Sequence, residues 1–451
     1  MDNQSTSSAL TRIQSLLDEF SFVEVGRLVE ARSTDFNMAE KKAPSDGVVT
    51  GYGTIDGNLV YVYAQDAAVL GGSIGDMHAR KIASIYSMAM KNQAPVIALL
   101  DCTGVRLEEA NDALFGLGRI YKKQTLASGQ IPQITAIFGN CGGGLTVLAG
   151  LSDYVLMAEC ANAYVNAPEA VLGNKDDAIA QAAKREEYGL VDFDGTEDEV
   201  FAQIRKVVSV LPGNCEDGGV LDECTDDLNR AVTGFDTLSA DEAVQQLADN
   251  GVFIETKKGY SHDVVTGFAQ IGGETVAIVA NKEKALTWKG AEKAAKLVTF
   301  ANAYDLPVIT VVDVTSYKNT ECTESHMPTS AAKLAYAYAN ADVPMITVVK
   351  NALGTAGLSF GAKALGADVV YAFNSSKIGV MDAAQAAKVV ADGDAEAEKK
   401  FASENTALAA AKRGYVDEII APEETRQRIA AALQMLGYKS VYRPDKKSGT
   451  V

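Results

Sequence analysis

A long segment of this chain occurs twice, and that repetition constrains the fold more than anything else in it. VTGYGTIDGNLVYVYAQ at 49–65 alternates as a β-hairpin does, with Asp56-Gly57 as its turn signal. VTGFAQIGGETVAIVAN at 265–281 repeats the pattern with Gly272-Gly273 at the turn, so that Gly51 is matched by Gly267. The parallel continues downstream. HARKIASIYSMAMKNQ at 78–93 is amphipathic with helical spacing and feeds the apolar run APVIALLDCTG; AEKAAKLVTFANAYD at 291–305 feeds LPVITVVDVTS. Pro132 and Pro344 open matching strands, and LSDYVLMAECANAYVNAPEAV pairs in pattern with LGADVVYAFNSSKIGVMDAAQA. Strand, turn and helix alternating around apolar strands predict βαβ units and largely parallel sheets. We therefore read two homologous α/β domains arising from duplication, residues 1–232 and 233–451.

Each half carries a glycine-rich turn at the same place. The first is Gly139-Asn140-Cys141-Gly142-Gly143-Gly144, after the strand-like run IPQITAIF; the second is Lys350-Asn351-Ala352-Leu353-Gly354-Thr355-Ala356-Gly357, after VPMITVV. Small residues between a strand and a helix expose backbone N–H groups at the positive end of that helix. Such a turn holds a developing negative charge without a charged side chain. The same glycines also serve purely steric ends in tight turns, so the repeat is what favours the chemical reading. Cys141 lies within the first turn, but no histidine or other base is indicated beside it, and a buried, inert thiol is the expectation.

Outside the repeats, ALTRIQSLLDEF at 9–20 is expected as an outer helix, and AIAQAAKREEYG and EDEVFAQIRKVVSVL as helices of a connecting region. LPGNCEDGG at 211–219 reads as a loop. PEETRQRIAAALQMLGYK is expected as a last helix with proline in its first turn, followed by a solvated tail, YRPDKKSGTV. A formal charge of −18 argues against a nucleic-acid-binding surface. The six cysteines contain no CxxC pair and indicate reduced, cytoplasmic usage; the three histidines show no metal-ligand spacing. The polar, acidic N-terminus is unlike a signal peptide, and no run approaches a spanning helix, leaving membrane association to partners.

At this point the residues resemble a known family, the carboxyltransferase subunits of biotin-dependent acyl-CoA carboxylases, decarboxylases and transcarboxylases. The pattern is similar to that of propionyl-CoA carboxylase beta-like and methylmalonyl-CoA carboxyltransferase-like members. The resemblance runs through TDFNMAEKKAPSDGVVTGYGTIDG, GGSIGDMHARKI and ASGQIPQITAIFGNCGGG in the first half. In the second it runs through VAIVANK, AAKLVTFANAYDLPVITVVDV, SFGAKALGADVVYAF and IGVMDAAQA. It implies two duplicated crotonase-like domains (the ClpP/crotonase ββα superhelix), the first binding acyl-CoA and the second biotin. It also implies a homo-hexamer whose active site is a cleft between the N-domain of one protomer and the C-domain of another.

The resemblance assigns roles as well. Gly143 and Gly144 match positions whose N–H groups bind the thioester carbonyl of the acyl-CoA and steady its enolate; Gly354, Thr355 and Ala356 match the turn whose N–H groups, at Thr355 and Ala356, bind the ureido carbonyl of biotin. Gly142 adjoins the CoA turn, and Gly71 and Gly72 either line the CoA cleft or simply permit a tight turn; Leu358 falls where relatives separate acetyl from propionyl groups, its bulk resembling the short-acyl type. Pre-aimed donors lower the barrier to α-proton removal by about 3–4 kcal/mol each. In the implied chemistry biotin acts as carboxyl carrier and as its own base, which accounts for the absence of a catalytic dyad. No metal is implied.

The biotin must sit on a separate carrier protein. Met88-Ala89-Met90-Lys91 superficially resembles the attachment sequence but lies within a helical pattern, and its next residue is Asn92. No ATP-handling signature is present, so the partner is a biotin carboxylase, a membrane decarboxylase or a second carboxyltransferase subunit. The chain departs from the residues the resemblance leads one to expect: Cys102-Thr103 replace a small pair, Asn140 a proline, Thr355 a glycine, Gly357 a tyrosine and Asp382 a glycine. Two rival readings stand beside this one: a biotin-independent crotonase-type hydratase or thioesterase, and a non-catalytic assembly subunit.

Overall fold

The computed structural model describes residues 7–33, 36–41, 43–173, 176–217 and 223–441. The chain clusters into two compact units, Met1–Asp217 and Gly218–Val451. Residues just before 232 are tied into the second unit, where Arg230 donates to the carbonyl of Ala248 (3.1 Å) and Val232 N–H to that of Glu423 (3.1 Å).

Unit 1 opens with helix α1 (Ser8–Leu16), which stops short of the expected 9–20 because Leu17 turns extended. After the edge strand β1 (Val23–Glu24), β2 (Val48–Ile55) and β3 (Asn58–Gln65) form the expected hairpin. Asp56 and Gly57 have φ of 50° and 84°, the left-handed pair that a two-residue type I′ turn demands. Then come α2 (Asp76–Asn92), β4 (Val96–Cys102), α3 (Ala110–Ala127), β5 (Gln133–Gly142), α4 (Gly144–Gly150), β6 (Tyr154–Ala158) and β7 (Asn162–Tyr164). The short α5 (Pro168–Leu172), α6 (Ala182–Glu187), β8 (Phe193–Gly195) and α7 (Glu197–Val210) complete the unit. Strand order among the described residues is β1-β2-β3-β4-β5-β6-β8, with β7 beside β5, and every pairing from β3 onward is parallel.

Unit 2 repeats this order. Helix α8 (Ala240–Leu247) and β9 (Phe253–Glu255) precede the hairpin β10 (Val264–Ile271) and β11 (Glu274–Asn281). The short β12 (Ala285–Leu286) is followed by α9 (Trp288–Ala303), β13 (Val308–Val314), β14 (Ser316–Tyr317), α10 (Glu321–Asn340), β15 (Met345–Leu353), α11 (Gly354–Ser359) and β16 (Val369–Gly379). The unit closes with α12 (Ala383–Ala391), α13 (Ala395–Glu404), α14 (Ala407–Lys412), β17 (Glu418–Ile419) and α15 (Thr425–Leu436). Its main sheet runs β17-β16-β15-β13-β11-β10-β9. Because the central strands are covered on both faces, they read as continuous apolar runs: Val308 to Val312 are all buried. Ile278, Ile309 and Ile346 pack there with Leu247 of α8 and Ile429 and Leu433 of α15.

The duplication extends to contacts between distant residues. Asp18 accepts the amides of Asp56 and Gly57 at the first hairpin tip (3.0 Å each), and Arg205 of α7 donates to Asp18 at 2.8 Å. Asp249 accepts the amides of Gly272 (3.0 Å) and Gly273 (2.7 Å) at the second tip, and Arg426 of α15 donates to Asp249. Each unit therefore binds its hairpin to its last helix through one carboxylate. The expected tail, YRPDKKSGTV, lies outside the described residues.

Candidate functional site

In unit 1 the sheet delivers β5 to the first glycine turn. Gly143 has φ 62° and ψ −126° and leads directly into α4. Its N–H donates to the carbonyl of Tyr164 on β7 at 2.8 Å. The next two amides, of Gly144 and Leu145, head α4 and have no intrahelical acceptor. Among the described residues no other acceptor bonds them. A side chain at Gly144 would lie 2.5 Å from Leu117 and 2.7 Å from the Tyr121 hydroxyl, so glycine is needed there for close approach to α3. The hydroxyl of Tyr121 donates to the carbonyl of Gly144.

In unit 2, β15 delivers the second turn in the same way. Gly354 has φ 62°, the value at Gly143, and marks the corresponding residue. Thr355 thus corresponds to Gly144 and Ala356 to Leu145, and neither Thr355 nor Ala356 is left-handed. Their amides have no bonded acceptor among the described residues. Thr355 in place of the family glycine consequently keeps its donor, since the left-handed strain falls one residue earlier. Gly357 is confined for another reason: a side chain there would meet the backbone of Ala352 at 2.6 Å.

The remaining site candidates are placed as follows. Gly71 and Gly72 form a 3-10 turn with φ of 65° and 63° against the end of β4. A Cβ on Gly72 would sit 2.3 Å from the carbonyl of Asp101, and one on Gly142 would sit 2.8 Å from that of Thr103. Gly71, Gly72 and Gly142 thus gather around residues 101–103. Leu358 is 45 % exposed and lines a mostly apolar cavity of about 840 Å³ in unit 2, together with Gly354, Gly357, Val380, Met381 and Val390. The charged side chains on that cavity are paired: Arg413 with Glu404, and Lys363 with Asp417 at 2.7 Å. Lys91 belongs to the last turn of α2. Cys141 is fully buried, and burial pushes its thiol up to about 12.

An aspartate at the end of a central strand grips each turn. In unit 1, Asp101 accepts the Asn140 N–H at 3.3 Å, and Gly139 lies so close that a Cβ there would be 2.1 Å from the carboxylate. In unit 2, Lys350 stands where Gly139 does, and the Asn351 side chain reaches across to donate to Asp313 at 2.7 Å. The ladder is bulged at both places, between Leu100 and Cys102 and between Val312 and Asp313.

Asp101 is further braced from the core. Its N–H donates to Gln65 Oε1 at 3.3 Å; Gln65 Nε2 meets His78 Nε2 at 3.2 Å; His78 Nδ1 meets the carbonyl of Asp46 at 2.9 Å. That chain requires a neutral imidazole with its proton on Nδ1, and burial holds His78 down to about 3. Asn281 occupies the matching place in unit 2, where both atoms of its buried amide lack a partner among the described residues. It is one methylene shorter than Gln65, and Gly290 stands where His78 would be.

Several departures from the family acquire causes. Asn140 supplies an N–H that proline would lack, and Asp382 caps α12 by accepting the Ala384 amide at 3.1 Å. Cys102 accepts the Gly104 amide at 3.3 Å. Sequence reasoning did not single out Leu145: nothing in an apolar side chain signals a free amide, and only its register with Ala356 exposes it. Among the described residues, no group of three His, Cys, Asp or Glu is arranged to hold a metal ion, and no helix is long and apolar enough to cross a membrane.

Comparison with known proteins bears on this site. A family model described as the carboxyl transferase domain matches residues 3–451. The propionyl-CoA carboxylase beta chain of Roseobacter denitrificans is 35% identical over 478 residues, covering 98% of this chain and 93% of the relative. The methylmalonyl-CoA decarboxylase alpha subunit of Veillonella parvula is 36% identical, covering 99% and 93%. The crystal structure of transcarboxylase 12S, a hexamer with methylmalonyl-CoA and methylmalonic acid bound, superposes with a TM-score of 0.94. The two are 33% identical, and the match covers 98% of this chain and 91% of that one.

Proposed function

The chain belongs to the carboxyl transferase family, with its duplicated crotonase-type α/β fold, and we propose that its two turns divide the work of one carboxyl transfer. The family's activity is biotin-dependent transfer of a carboxyl group at the α-carbon of an acyl-CoA. In this reading the unit 1 turn takes the thioester and the unit 2 turn takes biotin borne by a separate carrier protein. The substrate is a short acyl-CoA of the acetyl or propionyl type, carboxylated to malonyl or methylmalonyl.

One observation carries this: the two left-handed glycines, Gly143 and Gly354, each precede a pair of bond-free amides at a helix start. In unit 1, Gly144 and Leu145 offer those amides to the thioester oxygen, where charge develops as the α-proton leaves. Gly143 contributes its amide only by giving up the Tyr164 carbonyl, so it serves first as the pivot of the turn. In unit 2, Thr355 and Ala356 offer neutral donors beside a mostly apolar cavity whose charged side chains are already paired, which suits a neutral ureido ring on an apolar arm. Biotin, when bound, supplies the carboxyl group's carrier atom and a basic nitrogen. The protein's own contribution is binding, aim and exclusion of competing charge. Among the described residues, the carboxylates at the two turns are already engaged, Asp101 by Asn140 and Arg12 and Asp313 by Asn351, which favours this reading over a biotin-independent hydratase.

Assembly as a homo-hexamer, and pairing with a biotin carboxylase, a membrane decarboxylase or a second carboxyltransferase subunit, belong to the same proposal. The test is incubation with malonyl-, methylmalonyl- and glutaconyl-CoA, with and without biotin or biocytin, and chromatography of the CoA products. Decarboxylated product from a malonyl-type donor only when biotin is present is the expected result. Equal product without biotin overturns it.

A further inference from the structure

Tyr121 reaches from α3 to the first turn, a contact that the transfer chemistry above does not require. Its hydroxyl donates to the Gly144 carbonyl. That carbonyl belongs to the same peptide group as the Leu145 N–H. The described residues contain no cis peptide, so the two bonds of this group point in opposite directions. Holding the carbonyl from one side therefore fixes the direction in which the Leu145 amide points on the other. A hydrogen bond accepted by the carbonyl also polarises the group and makes its N–H a stronger donor.

The second turn contains the same arrangement built from different residues. Ser359 Oγ donates to the Thr355 carbonyl at 2.8 Å, and that carbonyl shares its peptide group with the Ala356 N–H. Tyr317 lies behind the serine, its hydroxyl 3.3 Å from Ser359 Oγ. A serine bonding back to the carbonyl four residues earlier is common in helices and proves little by itself. The tyrosine bond is different, because it bridges two elements and demands glycine at position 144. The same peptide plane is thus held by a hydroxyl in both units.

We infer that Tyr121 is a positioning residue for the unit 1 donor pair: its hydroxyl aims and polarises the Gly144–Leu145 peptide towards the thioester oxygen of a bound acyl-CoA. This rests on the reading of the first turn as the thioester site. It adds a side chain to a site otherwise made of backbone.

Tyr121→Phe removes the hydroxyl and keeps the ring. In biotin-dependent decarboxylation of methylmalonyl-CoA, kcat should fall about 10-fold while KM stays within about twofold, because the lost interaction matters most where charge develops. The spectroscopic companion uses propionyl-CoA labelled with 13C at the thioester carbonyl, followed by difference infrared. The parent protein should shift the carbonyl band to lower wavenumber on binding, and Tyr121→Phe should lose a measurable part of that shift. An unshifted band in the parent overturns the thioester reading, and the inference with it. A shifted band in the parent that Tyr121→Phe reproduces in full overturns the inference and leaves the reading standing. An unchanged kcat in a folded Tyr121→Phe protein likewise rejects it.

Discussion

Arg426 and Asp249 are paired inside unit 2 with side chains 0% and 7% exposed, whereas the matching Arg205 and Asp18 of unit 1 are 30% and 28% exposed. One device is therefore dry in one unit and wet in the other. Removing a partner from a buried pair strands a charge and costs about 3–5 kcal/mol, while a pair in contact with water is worth up to about 1 kcal/mol. Arg426→Ala should lower stability by about 3–5 kcal/mol and Arg205→Ala by about 1 kcal/mol or less. Denaturant unfolding of both variants, with fluorescence and circular dichroism followed together, checks the difference.

The neutral state of His78 makes unit 1 sensitive to acid. Its folded value of about 3 lies below the ordinary 6.5, so the unfolded chain takes up the proton first as pH falls. Stability is fully present above pH 6.5 and is lost progressively down to about pH 3, on the order of 5 kcal/mol at about 1.4 kcal/mol per unit. His78→Gln removes this titration. Its melting temperature should decline less steeply than the parent's between those limits, as calorimetry over a pH series would record.

Gly143→Ala and Gly354→Ala each place a side chain at φ 62°. Nothing lies within 4 Å of a Cβ on Gly143, so the cost there is conformational, about 1–2 kcal/mol. Either the strain is borne or the turn relaxes and the amides swing away. Both variants should fold, with a melting temperature lowered by a few degrees and biotin-dependent turnover reduced by more than about 10-fold.

Thr355→Gly should be nearly silent. The residue is not left-handed and its donor is a backbone amide, so restoring the family glycine should change turnover by less than about threefold. A large gain in rate would mean that the Thr355 side chain obstructs the turn.

Thiol reagents should leave the first turn untouched. Burial holds the Cys141 and Cys102 thiols at about 12, whereas Cys160 and Cys322 are exposed. Iodoacetamide at pH 7.5 should label Cys160 and Cys322 first, as peptide mass mapping would show, with turnover largely retained.

What the sequence revealed was whatever is encoded locally. Asp56-Gly57 and Gly272-Gly273 announce their turns because two consecutive left-handed residues exclude most side chains. The two glycine-rich turns stood out for the same reason, and α2 and α9 because their apolar spacing is regular. Helix α10 was hidden by Pro328 and by a mixed surface, and α12 to α14 by short, alanine-rich segments. The Asp–Arg clips were not legible at all, since Asp18 and Arg205 meet only after the whole unit has folded. Within the turns the residue-level reading needed the backbone. Which glycine is left-handed decides which amides are free, and in the proposed reading that shifts the unit 1 donor pair from Gly143 and Gly144 to Gly144 and Leu145.

The placement of strain at Gly143 and Gly354 also separates two kinds of constraint along the chain. The left-handed glycines are not the residues whose amides lack an acceptor, and, Gly144 apart, those amides belong to residues that present atoms common to every amino acid but proline. Side-chain identity at Thr355, Ala356 and Leu145 is therefore free to drift under packing demands while the donors stay in place. On the proposed reading, a survey of this protein by side-chain substitution would pass over the groups nearest the chemistry and point instead to the glycines and hydroxyls that hold them.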